Sequence, residues 1–407
     1  MPCLSGAGEL GGQAPLNEFP AALRGVPNSD AESRRPHLSR PVDTPAQGPR
    51  RTELCPSKFK LMICKFMFRT LQAGRGIAAI SVLLYHLNKQ MDVDFGYSIP
   101  PFTIGFSGVD FFFVLSGFII YYSHRLEVGT GQVGQYFRKR FIRLFPVYWI
   151  VLAGALAVIF LIPSFGEPPQ RQLLVILSSV TLVPLEPTTV IGQAWTLYHE
   201  VLFYAVFGLW LIDRRFGWLG FVWLAACATR LTSTAPVWNE IGDLLRFLTS
   251  PLNLLFGLGV LTAWAQTHLP PSRPRIAAAA GAAILVIVAP FMPAQAAWMH
   301  MTFGIGCALI VYGLCALENK DRMHPPSWLG GLGDASYSIY LTHTFLISAG
   351  AMLLQQIQLP IAAGFLFLGS FALAGGVMFH RWVEKPVLGL LRRTLSARER
   401  PVSVGSG

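Results

Sequence analysis

Ten apolar windows, each near the length that crosses a hydrocarbon slab, recur at about residues 70–90, 104–123, 145–162, 195–212, 216–232, 247–266, 276–293, 297–317, 335–354 and 359–382. Backbone polar groups in lipid must be satisfied within each segment, so the pattern predicts an all-α, polytopic transmembrane bundle. An eleventh run, Leu173 to Leu185, is only about a dozen residues long and suits a short re-entrant or interfacial piece. Composition excludes the soluble alternative, because 53% of the 407 residues are hydrophobic and 13% charged, against roughly 25% charged in a soluble domain. The net charge of +11 decorates an oily chain, and no soluble basic face is left to read nucleic acid.

Residues 1–66 differ in kind. They hold nine prolines and no window able to insert or form a core, so they read as a disordered or mis-annotated extension, with Met67 the expected natural start. The segment also lacks the charged, apolar and small-residue succession of a signal peptide. The expected organisation is this extension, a membrane domain over 67–390 and a basic cytoplasmic tail over 391–407. With both termini inside, the inner loops carry eleven cations (Arg125, Arg138, Lys139, Arg140, Arg143, Arg214, Arg215, Arg273, Arg275, Lys320 and Arg322), whereas the outer loops carry Lys89, Arg171 and Arg246. That asymmetry favours ten crossings with the eleventh run not spanning.

Six cysteines form no CxxC pair and have no histidine at zinc spacing, so no metal site is expected. Cys227, Cys307 and Cys315 lie in apolar runs and read as small hydrophobes.

Ionisable groups inside the spans each need a reason. Arg75 and His86 are eleven residues apart, which returns them to one helix face about 16 Å apart. Arg75 could also snorkel to phosphates, and His86 could hydrogen-bond a neighbouring helix. Asp110 opens the second span as either a helix-end acid or a functional group. The basic run Arg138 to Arg143 fits a topology signal or a phosphate dock. Thr196, Glu200 and Tyr204 recur every four residues as a polar stripe, and Ser336, Tyr340 and His343 share another face. Glu200 could pair with Arg75 or Arg230, and Glu384 could meet the inner basic loop. The remaining histidines, His300 among them, carry little signal at span ends and in loops.

The ordered set Arg75…His86, Ser-Gly-Val-Asp110-Phe-Phe-Phe-Val-Leu-Ser-Gly-Phe, Arg-Lys-Arg-Phe-Ile-Arg143-Leu-Phe-Pro, Trp-Thr-Leu-Tyr-His-Glu200, Ser-Tyr-Ser-Ile-Tyr-Leu-Thr-His343 and Glu384-Lys-Pro resembles the acyltransferase 3 family of bacterial membrane-bound O-acyltransferases over about residues 67–390. The resemblance implies a bacterial inner-membrane enzyme that moves an acyl group, often acetyl, from cytoplasmic acyl-CoA to a hydroxyl of an extracytoplasmic or lipid-linked carbohydrate. Acyl-CoA is then a co-substrate, and no permanently bound cofactor is expected. The family's first-span Arg and His fall on Arg75 and His86, and its basic-loop arginines on Arg138, Arg140 and Arg143. Ala73-Gly74 stands where a Leu commonly precedes the Arg, at a packing position. The chain stops soon after Glu384, so the exopolysaccharide-decorating or glycolipid-modifying members are the expected likeness.

Sugar hydroxyls are poor nucleophiles at neutral pH, and an imidazole is suited to take their proton. His86 is therefore the expected general base, with Glu200 or Asp110 orienting it. Arg75, Arg138, Arg140 and Arg143 are the expected acyl-CoA contacts; Trp195, Tyr204, Tyr340 and His343 are the expected substrate contacts. An interfacial position for Trp195 and a structural hydrogen bond for His343 are the alternatives. A secondary transporter or lipid-linked sugar flippase would also explain buried charges, although the chain shows no internal repeat.

Overall fold

The computed structural model describes residues 68–162, 165–232, 242–288, 291, 297–356 and 360–398. The proposed start at Met67, the preceding extension and the last residues of the tail lie outside these. Among the described residues there is no strand. The helices are α1 (Arg69–Phe95), α2 (Ser107–His124), α3 (Val133–Leu161), α4 (Leu173–Thr181), α5 (Trp195–Ile212), α6 (Gly217–Thr232), α7 (Asp243–Leu248), α8 (Asn253–His268), α9 (Pro274–Ala283), α10 (Ala297–Asn319), α11 (Ser327–Leu354), α12 (Ile361–Phe379) and α13 (Lys385–Arg398).

Seven helical stretches, built around α2, α3, α5, α8, α10, α11 and α12, are long and apolar enough to cross a membrane. The other three windows hold α1 with 27 residues, α6 with 16 and α9 with 10. Helix α1 has the length but dilutes its apolarity with Arg75, Lys89, Asp92 and Asp94. The short run Leu173 to Leu185 forms the nine-residue α4, which ends at Leu182 in the left-handed region with φ 54°. The tail expected from residue 391 begins inside α13, which continues to Arg398. Large apolar side chains such as Phe221 and Leu366 remain exposed on the outside of the bundle, where hydrocarbon would cover them.

The principal helix pairs are α1 with α11, α2 with α8, α11 with α12 and α9 with α10. Small residues set two of these distances. A Cβ on Gly333 of α11 would lie 1.9 Å from the Gln72 carbonyl oxygen of α1, and one on Gly117 of α2 would lie 2.1 Å from the Phe256 carbonyl oxygen of α8. No larger residue fits at such a backbone approach. A carboxylate completes the α1 start: Glu318, at the end of α10, accepts from the Arg69 N–H at 2.7 Å, the Thr70 N–H at 2.9 Å and the Thr70 hydroxyl at 2.5 Å. Those backbone N–H groups have no partner within their own helix, and an anion there also suits the helix dipole.

Cys227, Cys307 and Cys315 are free, buried thiols. One apolar core joins α2, α3, α5 and α8 through Phe113, Tyr148, Phe203 and Phe256. A second joins α1, α11 and α12 through Leu83, Leu87, Ile339 and Leu368.

Candidate functional site

The close approach of α1 to α11 brings two polar pairs into register. Near the start of α1, Arg75 is 6% exposed and donates from Nη2 to Ser336 Oγ at 3.0 Å and from Nη1 to Gln72 Oε1 at 3.3 Å. Further along, His86 Nδ1 lies 3.0 Å from the Val82 carbonyl oxygen and 3.2 Å from His343 Nε2. His343 Nδ1 lies 2.7 Å from the Tyr340 carbonyl oxygen. A carbonyl only accepts, so His343 carries its proton on Nδ1 and offers a bare Nε2. His86 likewise carries a proton on Nδ1, shared between Val82 and His343, which leaves the ring's lone pair on Nε2.

Two cavities flank this axis. The first, of about 430 Å³, is lined by Arg75, Arg140, Arg143 and Arg392 together with Glu200, Tyr204 and Ser336. The second, of about 920 Å³, is lined by His86, His300, Lys89, Gln193, Trp195 and the aromatic rings of Tyr85 and Phe106. Tyr340 and Val109 line both. Between them runs a polar layer in which Tyr340 Oη is 2.8 Å from Thr196 Oγ1 and donates to the Gln193 carbonyl at 3.2 Å. Gln193 in turn donates to the Leu341 carbonyl at 2.7 Å and accepts from Thr344 Oγ1 at 3.0 Å. The Thr196, Glu200 and Tyr204 stripe faces the basic cavity as its spacing predicts.

Several assignments change. Asp110 does not meet His86: it is fully buried, and its Oδ1 accepts from His300 Nδ1 at 2.9 Å. Glu200 does not orient His86 either; it accepts from Tyr204 and, at 3.3 Å, from Ser116 Oγ, in the other cavity. The partners explain both: from α2 Asp110 turns to His300 of α10, and from α5 Glu200 turns to Tyr204 of its own helix and Ser116 of α2. His343, expected as a substrate contact, is fully buried and lines neither cavity, and its Nε2 meets His86 instead. Arg138 lines neither cavity, because α3 turns Arg140 and Arg143 toward the cavity from the same basic run. Arg230 donates to the Arg246 carbonyl at 2.6 Å and not to Glu200. Glu384 accepts from Ser338 Oγ at 2.6 Å and His380 Nδ1 at 2.8 Å.

Sequence reasoning missed His300, Gln193 and Arg392. His300 lies within an apolar window, so the rule that flagged His86 applied to it too. The basic cavity offers guanidinium groups of the kind that fork onto phosphate oxygens, with Arg140 also stacked over the Tyr136 and Tyr204 rings at 5.7 and 5.8 Å. The second cavity joins imidazoles to aromatic walls, a surface suited to a polyhydroxylated ligand.

Comparison with known proteins places the chain in a family. A family model described as an acyltransferase domain, Acyl_transf_3, matches residues 68–381. The exopolysaccharide production protein ExoZ of Rhizobium meliloti (strain 1021) is 33% identical over 322 residues, covering 75% of this chain and 94% of that protein. The acyltransferase MdmB of Streptomyces mycarofaciens is 26% identical over 386 residues, covering 81% of this chain and 92% of that protein. No solved structure matches the chain.

Proposed function

The chain belongs to the acyltransferase 3 family and is a multi-pass membrane O-acyltransferase, and from that premise we propose that it transfers an acyl group, acetyl in the simplest case, from acyl-CoA to a carbohydrate hydroxyl of an exopolysaccharide or glycolipid. The donor's phosphates and pantetheine occupy the basic cavity against Arg75, Arg140 and Arg143. The acceptor occupies the histidine cavity. All ten helical windows cross a bacterial inner membrane, with the basic cavity on the cytoplasmic side and the histidine cavity reached from the other.

In this mechanism the acyl end of the donor passes the Tyr340 wall and the acceptor hydroxyl attacks its carbonyl carbon. His86 Nε2 takes the hydroxyl proton as the bond forms. His343 keeps that imidazole in the tautomer whose lone pair lies on Nε2. The observation that carries the reading is the shared Tyr340 wall, which sets a cavity rich in arginine beside one holding a tautomer-fixed imidazole. An exopolysaccharide production protein among the relatives supports the acceptor class.

The test is acetyl transfer from radiolabelled acetyl-CoA in membranes carrying wild type or His86→Ala at equal protein levels. Wild type should label carbohydrate and His86→Ala should not. Equal labelling would refute the role of His86.

A further inference from the structure

The histidine cavity holds a second imidazole whose surroundings differ from those of His86. His300, from α10, lines the same cavity with its side chain 25% exposed, and its Nδ1 is 2.9 Å from Asp110 Oδ1 across 190 positions of sequence. Asp110 is fully buried, and among the described residues its Oδ2 has no hydrogen-bond partner. A carboxylate in a dry site is costly unless a counter-charge meets it, and His300 is the group bonded to this one. The partners of His86, by contrast, are a peptide carbonyl and another imidazole. Two titratable groups facing one cavity, one backed by neutral partners and one by a carboxylate, divide naturally into base and cation.

We propose that His300, held by Asp110 as an ion pair, is a catalytic residue that stabilises the oxyanion of acyl transfer from its Nε2–H. The proposal rests on the reading of His86 as base. As the hydroxyl oxygen bonds to the acyl carbon, its proton moves to His86 Nε2 and the carbonyl π pair moves onto oxygen. That oxygen accepts a hydrogen bond from His300 Nε2–H. Collapse re-forms the carbonyl, the C–S bond breaks with its pair leaving on the CoA sulfur, and the sulfur takes up the proton His86 held. His300 ends the cycle as it began. A donor aimed at charge that develops only in the transition state lowers the barrier without tightening substrate binding.

The experiment compares wild type, Asp110→Asn, His300→Gln and His86→Ala for carbohydrate labelling from radiolabelled acetyl-CoA, with half-saturating acetyl-CoA and the thermal midpoint in detergent measured beside it. Asparagine still accepts from His300 Nδ1 but removes the negative charge, so a purely architectural hydrogen bond survives it. The expected result is a fall of about 100-fold or more in transfer rate for both Asp110→Asn and His300→Gln, with half-saturation and thermal midpoint held near wild type. Transfer within a few-fold of wild type in either variant would overturn the proposal. So would a loss in both that is matched by a collapse of the midpoint or of acetyl-CoA saturation, which assigns the pair to architecture. An active His86→Ala would instead remove the base reading, whereas an inactive His86→Ala beside active Asp110→Asn removes only the role of the ion pair.

Discussion

His343 touches neither cavity, yet its Nε2 stands 3.2 Å from His86 Nδ1, with the two rings 4.8 Å apart and edge to face. One fully buried imidazole thus fixes the tautomer of another that lines a cavity, and the bond from His343 Nδ1 to the Tyr340 carbonyl fixes its own.

Replacing His343 with Leu removes that acceptor while keeping the site apolar and filled. Transfer should fall by about 10- to 100-fold, less than the 10²–10⁴ that a proton-transfer group itself supplies. Half-saturating acetyl-CoA should stay constant. His343→Gln, whose side-chain oxygen can accept from His86, should recover part of the rate in the same labelling assay.

Arg75 reaches Ser336 and Gln72 through two different nitrogens, a geometry a lysine ammonium cannot reproduce. Arg75→Lys should raise half-saturating acetyl-CoA by about tenfold, equivalent to about 1.4 kcal/mol. The measurement is a saturation curve in membranes, and an unchanged half-saturation would remove Arg75 from donor binding.

Gly333→Ala places a methyl where the Gln72 carbonyl oxygen already stands. Helices α1 and α11 must separate, at a cost of about 1–3 kcal/mol, seen as a lower thermal midpoint in detergent. Gly331→Ala is the control: its Cβ meets nothing within 4 Å, so alanine's better helix propensity should leave the midpoint equal or higher.

Tyr340 lines both cavities. Tyr340→Phe keeps the ring and loses the hydroxyl that meets Thr196 and Gln193, a loss of about 1 kcal/mol. Tyr340→Ala should open the wall to water and raise the ratio of acetyl-CoA hydrolysis to transfer. CoA release compared with carbohydrate labelling reads that ratio directly.

The helices were legible because lipid forces each apolar run to close its own backbone bonds, and the Thr196, Glu200 and Tyr204 stripe was legible because period four survives folding. Arg75 and His86 do share α1, but the helix carries them into different cavities, between which stand Tyr340 from α11 and Val109 from α2. The Asp110 to His300 pair was illegible for another reason. Spacing within one helix says nothing about which of nine histidines a buried acid will meet 190 positions away. Arg392 was hidden because a basic tail looks like solvated charge until α13 lays it against the basic cavity.

The carboxylate of Glu318 on the first turn of α1 has a temporal meaning as well. During synthesis the opening helix is made some 250 positions before its capping acid, and Ser336 and His343 follow later still. A chain made only to its midpoint therefore holds the His86 imidazole without His343 and the Arg75 guanidinium without Ser336. Helix α11 is the element that closes both gaps, so the α1 face bearing Arg75 and His86 gains its contacts only in the last third of synthesis.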